Sequence, residues 1–296
     1  MNYKGEPVRV GAEYGRREVE VDEATIAAYC EALEVPREAY SASAPPLLYH
    51  SECYRDLDWY LANLIGNLHA RQEWELFGPM KPGARVQLRG FIRDRYHKRG
   101  RDYVVKETWV LDEDGNLLNR GLTHQSFLAE AVDASTDVVS KDSAKSKKRN
   151  FDIGTSGGRR LSPLVRTVHE TMCMRFSGPD RNYHTDRDEA RKLGFPDIVV
   201  QGMLPICLVS ELMAAEFGEH WTSGGKMDVR LVNVLWADEE VSAGAEEVEI
   251  THEADLERVH MDVWVEKADG TKVIVGRASA TRPRKGYAGP DCSPGR

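Results

Sequence analysis

The stretch 176–203 holds residue types that acid–base chemistry requires. It begins Phe-Ser-Gly-Pro-Asp-Arg-Asn-Tyr-His-Thr-Asp, which places Asp180 and His184 four positions apart, and Gly202 follows at the start of an apolar segment. A carboxylate and a neutral imidazole can hold one water molecule between them, and a histidine ring is neutral near pH 7. A glycine that starts a helix can offer its backbone N–H to an oxygen that gains charge. The stretch is therefore a candidate catalytic centre.

Each of these residues also has a purely structural interpretation. Asp180 and Asn182 follow a Gly-Pro pair and are typical turn formers, since Asx side chains bond to their own backbone. Asp186 is placed to cap the helical pattern that follows it, and Gly202 suits close helix packing. His184 can be read as an ordinary histidine of an exposed loop. The joint spacing of these residues is what favours the catalytic interpretation.

The elements around the stretch follow one plan twice, a helix and then strands. In the first half, Asp22 caps a helix that ends at Leu33, and apolar spacing predicts a second, central helix over 47–65. The third helix, over 203–217, has the same place in the second half. Alternating apolar residues predict strands, some paired on one buried face. The predicted strands cover residues 86–92, 103–111, 117–128, 229–236, 246–252, 259–265 and 272–280.

Two hairpins have matching sequences. Residues 111–121 and 266–276 each place an Asp-Gly turn before a strand that reaches a glycine at the same interval. An Asp-Gly pair between apolar runs is a strong hairpin signal. The match indicates an internal duplication, in which each half contains one helix and one antiparallel meander.

The domain plan follows from these elements and from one charged stretch. The part of the chain that contains Ser-Lys-Asp-Ser-Ala-Lys-Ser-Lys-Lys-Arg has few apolar residues and is typical of a solvated linker. We therefore expect an N-terminal domain, a flexible linker, a C-terminal domain with the candidate site, and a tail. Their predicted boundaries are 1–132, 133–160, 161–284 and 285–296.

Composition excludes several classes of protein. The 296 residues are 41% hydrophobic, enough for a large core, and the net charge of −8 disfavours nucleic acid as a partner. No apolar run approaches the length of a membrane span, and the start lacks the apolar core of a signal peptide, so we expect a cytoplasmic protein without a membrane partner. The widely spaced cysteines predict reduced, buried thiols and no metal site. They are Cys30, Cys53, Cys173, Cys207 and Cys292.

The motif and the repeated plan resemble the MaoC-like (R)-specific enoyl-CoA hydratases and dehydratases. That family carries Ser-Gly-Asp-x-Asn-Pro-Leu-His-x-Asp and, further on, His-Gly-Met. Here Ser177-Gly178, His184, Asp186 and Gly202-Met203 match. The resemblance implies an α+β double hotdog fold, in which each half is an antiparallel sheet wrapped around a long central helix. It also implies that the N-terminal half is a non-catalytic domain that shapes a substrate tunnel.

The motif departs from the family pattern at three places. Counted back from His184 without a gap, the catalytic aspartate of the family falls on Pro179, and Asp180 stands one position later. Asn182 and Gln201 occupy positions where the family has proline and histidine. Either the loop shifts by one residue, so that Asp180 takes the catalytic role, or the carboxylate is lost and His184 works with Asp186.

The resemblance implies reversible hydration of a 2-enoyl thioester, branched or dicarboxylic acyl groups included, to the (R)-3-hydroxyacyl thioester, without a cofactor or metal. The implied partner is acyl-CoA or an acyl-carrier-protein thioester, and a homodimer is expected. Asp180, His184 and Gly202 are the expected catalytic residues, supported by Asn182, Tyr183, Asp186 and Gln201. Tyr183, Arg181 and Arg175 are candidate contacts to a polar acyl group or to the phosphates of CoA. The alternatives are a hotdog thioesterase and a non-catalytic acyl-CoA-binding protein.

Overall fold

In the computed structural model, residues 9–55, 67–98, 101–128, 151–253 and 255–284 are described. Ten strands in this part of the chain form one antiparallel sheet. The strands are β1 (Glu13–Glu20), β2 (Leu68–Leu76), β3 (Arg85–Lys98), β4 (Arg101–Leu111), β5 (Leu117–Leu128), β6 (Leu164–Thr167), β7 (Lys226–Leu231), β8 (Glu240–Glu253), β9 (Leu256–Lys267) and β10 (Lys272–Pro283).

Within the described residues, five α-helices and two 3-10 helices accompany the sheet. The α-helices are α1 (Glu23–Leu33), α2 (Glu170–Ser177), α3 (Arg187–Lys192), α4 (Met203–Phe217) and α5 (Glu219–Thr222), and the 3-10 helices cover Arg37–Tyr40 and His50–Tyr54. Within the described ranges, no helix combines the length and the apolar character that crossing a membrane requires.

The strand order confirms the internal repeat. Across the sheet the order is β1-β3-β4-β5-β2-β7-β10-β9-β8-β6, so the second half repeats the order of the first in reverse around the β2–β7 pair. The two matched hairpins are β4–β5 and β9–β10, and the turn glycines Gly115 and Gly270 both have positive φ, near 83° and 81°. That conformation favours glycine, which explains why both turns carry Asp-Gly.

Helix α4 is the central helix of the second half, with the predicted bounds. Most of its residues are buried, including the whole run from Met203 to Met213. A helix that is apolar on all sides is stable only when neighbours cover it on all sides. One of these contacts fixes it to the first half, because the buried Glu211 accepts hydrogen bonds from the hydroxyls of Tyr29 and Tyr40. Burial raises the pKa of the Glu211 carboxyl.

The first half differs from the prediction over 47–65. Turns and the 3-10 helix His50–Tyr54 replace a regular helix there, and Arg55 is extended. The remainder of the predicted helix lies outside the described residues. The N–H groups of Leu48, His50 and Glu52 each bond to a carbonyl three residues earlier, which is the 3-10 pattern and not the α-helical one.

The strand predictions are confirmed in most places, with extended or shifted ends. The exception is the predicted strand 229–236, because β7 ends at Leu231 and the chain then leaves the sheet. Trp236 instead forms an isolated antiparallel bridge with Val199, which ties this loop to the candidate site. The sequence analysis missed β1, β2 and β6, two of which are edge strands at the ends of the sheet.

Residues 151–160, at the end of the predicted linker, contact β8. The carboxylate of Glu246 accepts hydrogen bonds from Ser156 Oγ, the Gly157 N–H and Arg160 Nε. These donors lower the pKa of Glu246 to about 2. The earlier part of the predicted linker, 133–150, lies outside the described residues. The domain boundaries remain a prediction.

The cysteine prediction holds for the thiols that the structure describes. Cys30, Cys53, Cys173 and Cys207 are free and buried. Burial raises the pKa of the Cys53 and Cys173 thiols to about 12 each, so both are protonated at neutral pH. Cys292 lies outside the described residues.

Candidate active site

The predicted catalytic stretch forms a loop between two helices and then enters α4. Helix α2 ends at Ser177, and the loop passes through a cis bond between Gly178 and Pro179. After α3, the chain passes through a turn, a bend and the isolated bridge at Val199 to Gly202, the residue before α4. The sequence therefore brings the loop histidine and the start of the central helix into one region.

Asn182 organises the loop through its own side chain. Its Oδ1 accepts a hydrogen bond from the His184 N–H at 2.8 Å, and its Nδ2 donates to the Asp180 carbonyl at 3.0 Å. Thr185 Oγ1 donates to the same carbonyl at 2.9 Å. The turn-forming interpretation of Asn182 is thus confirmed, and its effect is to hold the backbone that carries His184.

His184 is partly buried, not exposed as predicted, and its ring is held in one tautomer. Nδ1 lies 2.7 Å from the Val199 carbonyl oxygen, which can only accept, so Nδ1 carries the hydrogen. Burial lowers the pKa of the His184 imidazole to about 4, against the opposing effect of the Val199 carbonyl. Nε2 of a neutral ring in this tautomer is a lone-pair acceptor and can act as a base.

The Tyr183 ring packs against the ring of His184. Its ring centroid lies 3.9 Å from that of His184, and its other side faces Phe195, at 5.8 Å between centroids. Burial raises the pKa of the Tyr183 hydroxyl to about 12, so it is a neutral hydrogen-bonding group. Tyr183 thus forms an apolar wall with one polar atom beside His184.

Neither candidate carboxylate is paired with His184 in the described residues. Asp180 is exposed, and no hydrogen bond joins its carboxylate to the His184 ring. Asp186 caps α3, accepting from the N–H groups of Asp188 and Glu189. Its second oxygen accepts from Arg181 Nε at 2.9 Å. The backbone donors, followed by Arg181, lower the pKa of Asp186, so this carboxylate has a structural use.

Gly202 is required by close packing at the start of α4. A Cβ at this position would lie 2.5 Å from Leu231 Cδ2 and 3.1 Å from His69 Nδ1. Such distances are below normal contact, so any larger residue must displace its neighbours. The space beside Gly202 is thus occupied by β7 and by a histidine of the N-terminal half.

Gly202→Ala is expected to destabilise the protein by about 1–3 kcal/mol, the usual range for overpacking a filled site. The added methyl meets the end of the partly buried Leu231 side chain and the His69 ring, so both must shift to make room for it. Urea denaturation followed by circular dichroism measures this change. An unchanged free energy of unfolding would show that the side chains relax freely and that Gly202 is not needed for packing.

Two polar atoms beside the site have no partner among the described residues. Gln201 Oε1 and Ser177 Oγ are buried without a hydrogen bond. Buried polar atoms without a hydrogen bond are rare in folded proteins, because each one costs free energy. A ligand or a water molecule that bonds to such an atom would remove this cost. Gln201 directly precedes Gly202, so its oxygen is placed to accept from a ligand that reaches the start of α4.

The sequence analysis missed two residues of the N-terminal half that reach the start of α4. Tyr54 ends the 3-10 helix, and His69 lies on β2. The Tyr54 oxygen is 2.8 Å from His69 Nδ1, and that nitrogen would lie 3.1 Å from a Cβ placed on Gly202, directly before α4. No motif marks either residue, because their approach to α4 depends on the pairing of the two halves.

Other polar residues of the first half are used in ion pairs. Glu52 pairs with Arg17 and Arg55, and Glu73 accepts from His124 Nε2 at 2.9 Å. These contacts place them in the structural network of the first half.

Comparison with known proteins identifies the fold. A MaoC-like dehydratase superposes with a TM-score of 0.72 at 15% identity, covering 93% of this chain and 98% of that chain. A MaoC-like dehydratase from Phytophthora capsici gives 0.67 at 12% identity, with coverage of 93% and 96%. A Mycobacterium tuberculosis protein described as having a double hotdog fold gives 0.59 at 12% identity, with coverage of 96% and 98%. The chain is thus a double hotdog protein.

The second half of the chain matches a known domain family. Residues 153–270 match the family model described as MaoC like domain, and this range includes the loop, α3 and α4. No curated protein matches the sequence at a significant level. The resemblance that the motif predicted is thus confirmed for the second half of the chain, as a match to a MaoC-like domain.

Proposed function

We propose that this protein catalyses the reversible hydration of a 2-enoyl thioester to a 3-hydroxyacyl thioester. The observation that carries the proposal is the His184 ring, fixed by the Val199 carbonyl with Nδ1 protonated, so that Nε2 is a free base. The ring lies in a MaoC-like domain, on the loop that leads to the central helix. The proposed substrate is an acyl-CoA or an acyl-carrier-protein thioester, and the proposed product has the (R) configuration.

In this proposal His184 handles the proton of the reaction. Its Nε2 takes a proton from water as the water oxygen bonds to C3 of the enoyl group. The electrons of the double bond move towards the thioester oxygen, and the protonated His184 then returns its proton to C2. The ring begins and ends neutral, which agrees with a pKa lowered by burial.

The start of α4 is the proposed site for the thioester oxygen. Its first N–H groups have no partners within the helix, and the helix dipole adds a positive potential there. Charge that develops on the thioester oxygen in the transition state is thereby stabilised, and losing one such donor costs about 3–4 kcal/mol in other enzymes. The Gly202 N–H is the candidate donor.

Crotonyl-CoA and longer, branched or carboxylated enoyl-CoAs test this function. The assay follows the absorbance of the conjugated double bond and, in parallel, the release of free thiol. Loss of the double bond with an intact thioester is the expected result. Free thiol without hydration would instead identify a thioesterase, and neither signal across the panel would favour an acyl-CoA-binding protein.

The pH dependence of hydration is expected to follow His184. Only the neutral ring is a base, and its pKa is about 4. Activity as kcat/KM is therefore expected to stay constant as pH falls from 7 to about 5 and to decline as pH passes about 4. Circular dichroism at each pH controls for unfolding. A midpoint near the ordinary histidine pKa of about 6.5 would contradict the proposed environment of His184.

A further inference from the structure

The N-terminal half supplies a hydrogen-bonded chain of side chains to the start of α4. Tyr54 and His69 are joined at 2.8 Å, and His69 Nε2 lies 3.0 Å from Gln72 Oε1. Gln72 and Thr123 are fully buried on β2 and β5. The chain therefore runs from the interior of the first half to the site of the second.

The buried end of this chain of side chains fixes the direction of each hydrogen bond in it. Gln72 Nε2 donates to the Glu73 backbone carbonyl at 3.1 Å, which fixes the orientation of the amide. Its Oε1 accepts from Thr123 Oγ1 at 2.8 Å. Because that oxygen can only accept, His69 Nε2 must carry a hydrogen.

The neutral state of His69 then fixes the direction of the hydrogen bond between Tyr54 and His69. Burial lowers the pKa of the His69 imidazole to about 4, so Nδ1 carries a lone pair at neutral pH. The Tyr54 O–H donates to this lone pair. Burial also raises the pKa of the Tyr54 hydroxyl, which stays protonated. With its single hydrogen on His69, the Tyr54 oxygen can only accept from other groups.

Tyr54 also lies close to the proposed catalytic residues. Its hydroxyl contacts His69 Nδ1, and that nitrogen would lie 3.1 Å from a Cβ placed on Gly202, the residue before α4. Tyr183, whose ring packs on His184, adds to the rise in the pKa of Tyr54 that burial causes. Tyr54 and His184 thus both belong to the surroundings of the chain that enters α4, and neither Asp180 nor Asp186 pairs with the histidine among the described residues.

We propose that Tyr54 is the second group that holds the reacting water, in the role that the sequence analysis gave to a carboxylate. The inference rests on the proposed function. His184 Nε2 accepts one hydrogen of the water and removes it, and the Tyr54 oxygen accepts the other, which stays on the new hydroxyl. Tyr54 is a catalytic residue in this proposal, because it touches the water. His69 and Gln72 are positioning residues, because they turn the Tyr54 hydrogen away from the water.

Tyr54→Phe is the direct test, measured as kcat and KM for crotonyl-CoA. Loss of one of two contacts that align the water is expected to lower kcat by about 10- to 100-fold with KM nearly unchanged. Tyr49→Phe is the matched control, since the Tyr49 hydroxyl donates to the Glu20 carbonyl away from the site. Its kcat is expected to stay within about twofold of the wild type, because the lost hydrogen bond joins Tyr49 to β1 and not to the site.

Two variants of His69 separate positioning from general stability. His69→Asn keeps an acceptor near the Nδ1 position and is expected to retain most of the wild-type kcat. His69→Phe removes the acceptor, frees the Tyr54 hydrogen, and is expected to lower kcat as far as Tyr54→Phe does. His124→Asn controls for the loss of a histidine elsewhere on the sheet. Equal kcat for His69→Asn and His69→Phe would overturn the positioning role.

The outcomes for Tyr54 are also separable from those for the proposed function. A wild-type kcat in Tyr54→Phe, or a larger loss in Asp180→Asn than in Tyr54→Phe, would overturn the inference and leave the hydratase proposal intact. If the wild type hydrates no enoyl-CoA, the hydratase proposal fails, and nitrogen NMR then decides about Tyr54. The His69 Nδ1 signal is expected to shift on adding 3-hydroxybutyryl-CoA, whose hydroxyl takes the place of the water. An unchanged signal would overturn the inference as well.

Discussion

His184→Ala is expected to lower kcat for enoyl-CoA hydration by about 10²- to 10⁴-fold, the usual contribution of a positioned general base. The variant loses the only imidazole of the loop, and the Val199 carbonyl loses its donor. Because His184 is partly buried, some loss of stability is expected, on the order of 1 kcal/mol for one hydrogen bond. The measurement is kcat with crotonyl-CoA, accompanied by urea denaturation.

His169→Ala is the matched control for this substitution. His169 precedes α2 in the same half of the chain, its side chain is exposed, and it makes no capping hydrogen bond. Its kcat is expected to match the wild type. Retention of wild-type turnover in His184→Ala would remove His184 from the mechanism, whatever its effect on stability.

Gly276→Ala is expected to cause a larger loss of stability than Gly202→Ala or Gly121→Ala. A Cβ on Gly276 would lie 2.6 Å from the Val229 Cα, and it would also overlap the Asp228 carbonyl oxygen on β7. These are backbone atoms of the central sheet, which cannot rotate away as a side chain can. The cost is expected at or above the upper end of the range of about 1–3 kcal/mol for overpacking.

The equivalent glycine of the first half offers a matched comparison. Gly121 lies opposite Trp74 in the β2–β5 pair, and a Cβ there would be 2.6 Å from an atom of the Trp74 ring. A ring can shift more easily than backbone, so Gly121→Ala is expected to cost less than Gly276→Ala. Urea denaturation of both variants measures the difference. The reverse order would show that the β7 backbone yields more readily than the Trp74 ring.

These two glycines also show how far the sequence predicted the fold. The matching Asp-Gly hairpins and the equal interval to Gly121 and Gly276 indicated a duplication, and the strand order confirms it. At both glycines a neighbouring strand approaches closely. This close approach explains why a glycine recurs at the same interval, and a single sequence does not show it. Helix α4 was predicted with its observed bounds because its apolar run begins after a glycine and ends before one.

The candidate site was only partly predictable, for a physical reason. His184, Asn182 and Gly202 stand within one stretch, and local spacing was enough to mark them as candidates. Asp186 was placed by the same local logic as a helix cap, and the structure confirms that use. Tyr54 and His69 meet α4 only through the pairing of β2 with β7, a contact between residues far apart in sequence. No local pattern could have indicated it.

Water labelled with ¹⁸O tests the central claim most directly. The wild type is incubated with crotonyl-CoA in labelled water, and the products are separated and weighed by mass spectrometry. The proposed hydration predicts an intact CoA thioester that carries ¹⁸O in a new hydroxyl group, formed much more slowly by His184→Ala. Label in a free carboxylic acid, accompanied by free CoA and no hydroxyacyl thioester, would contradict it.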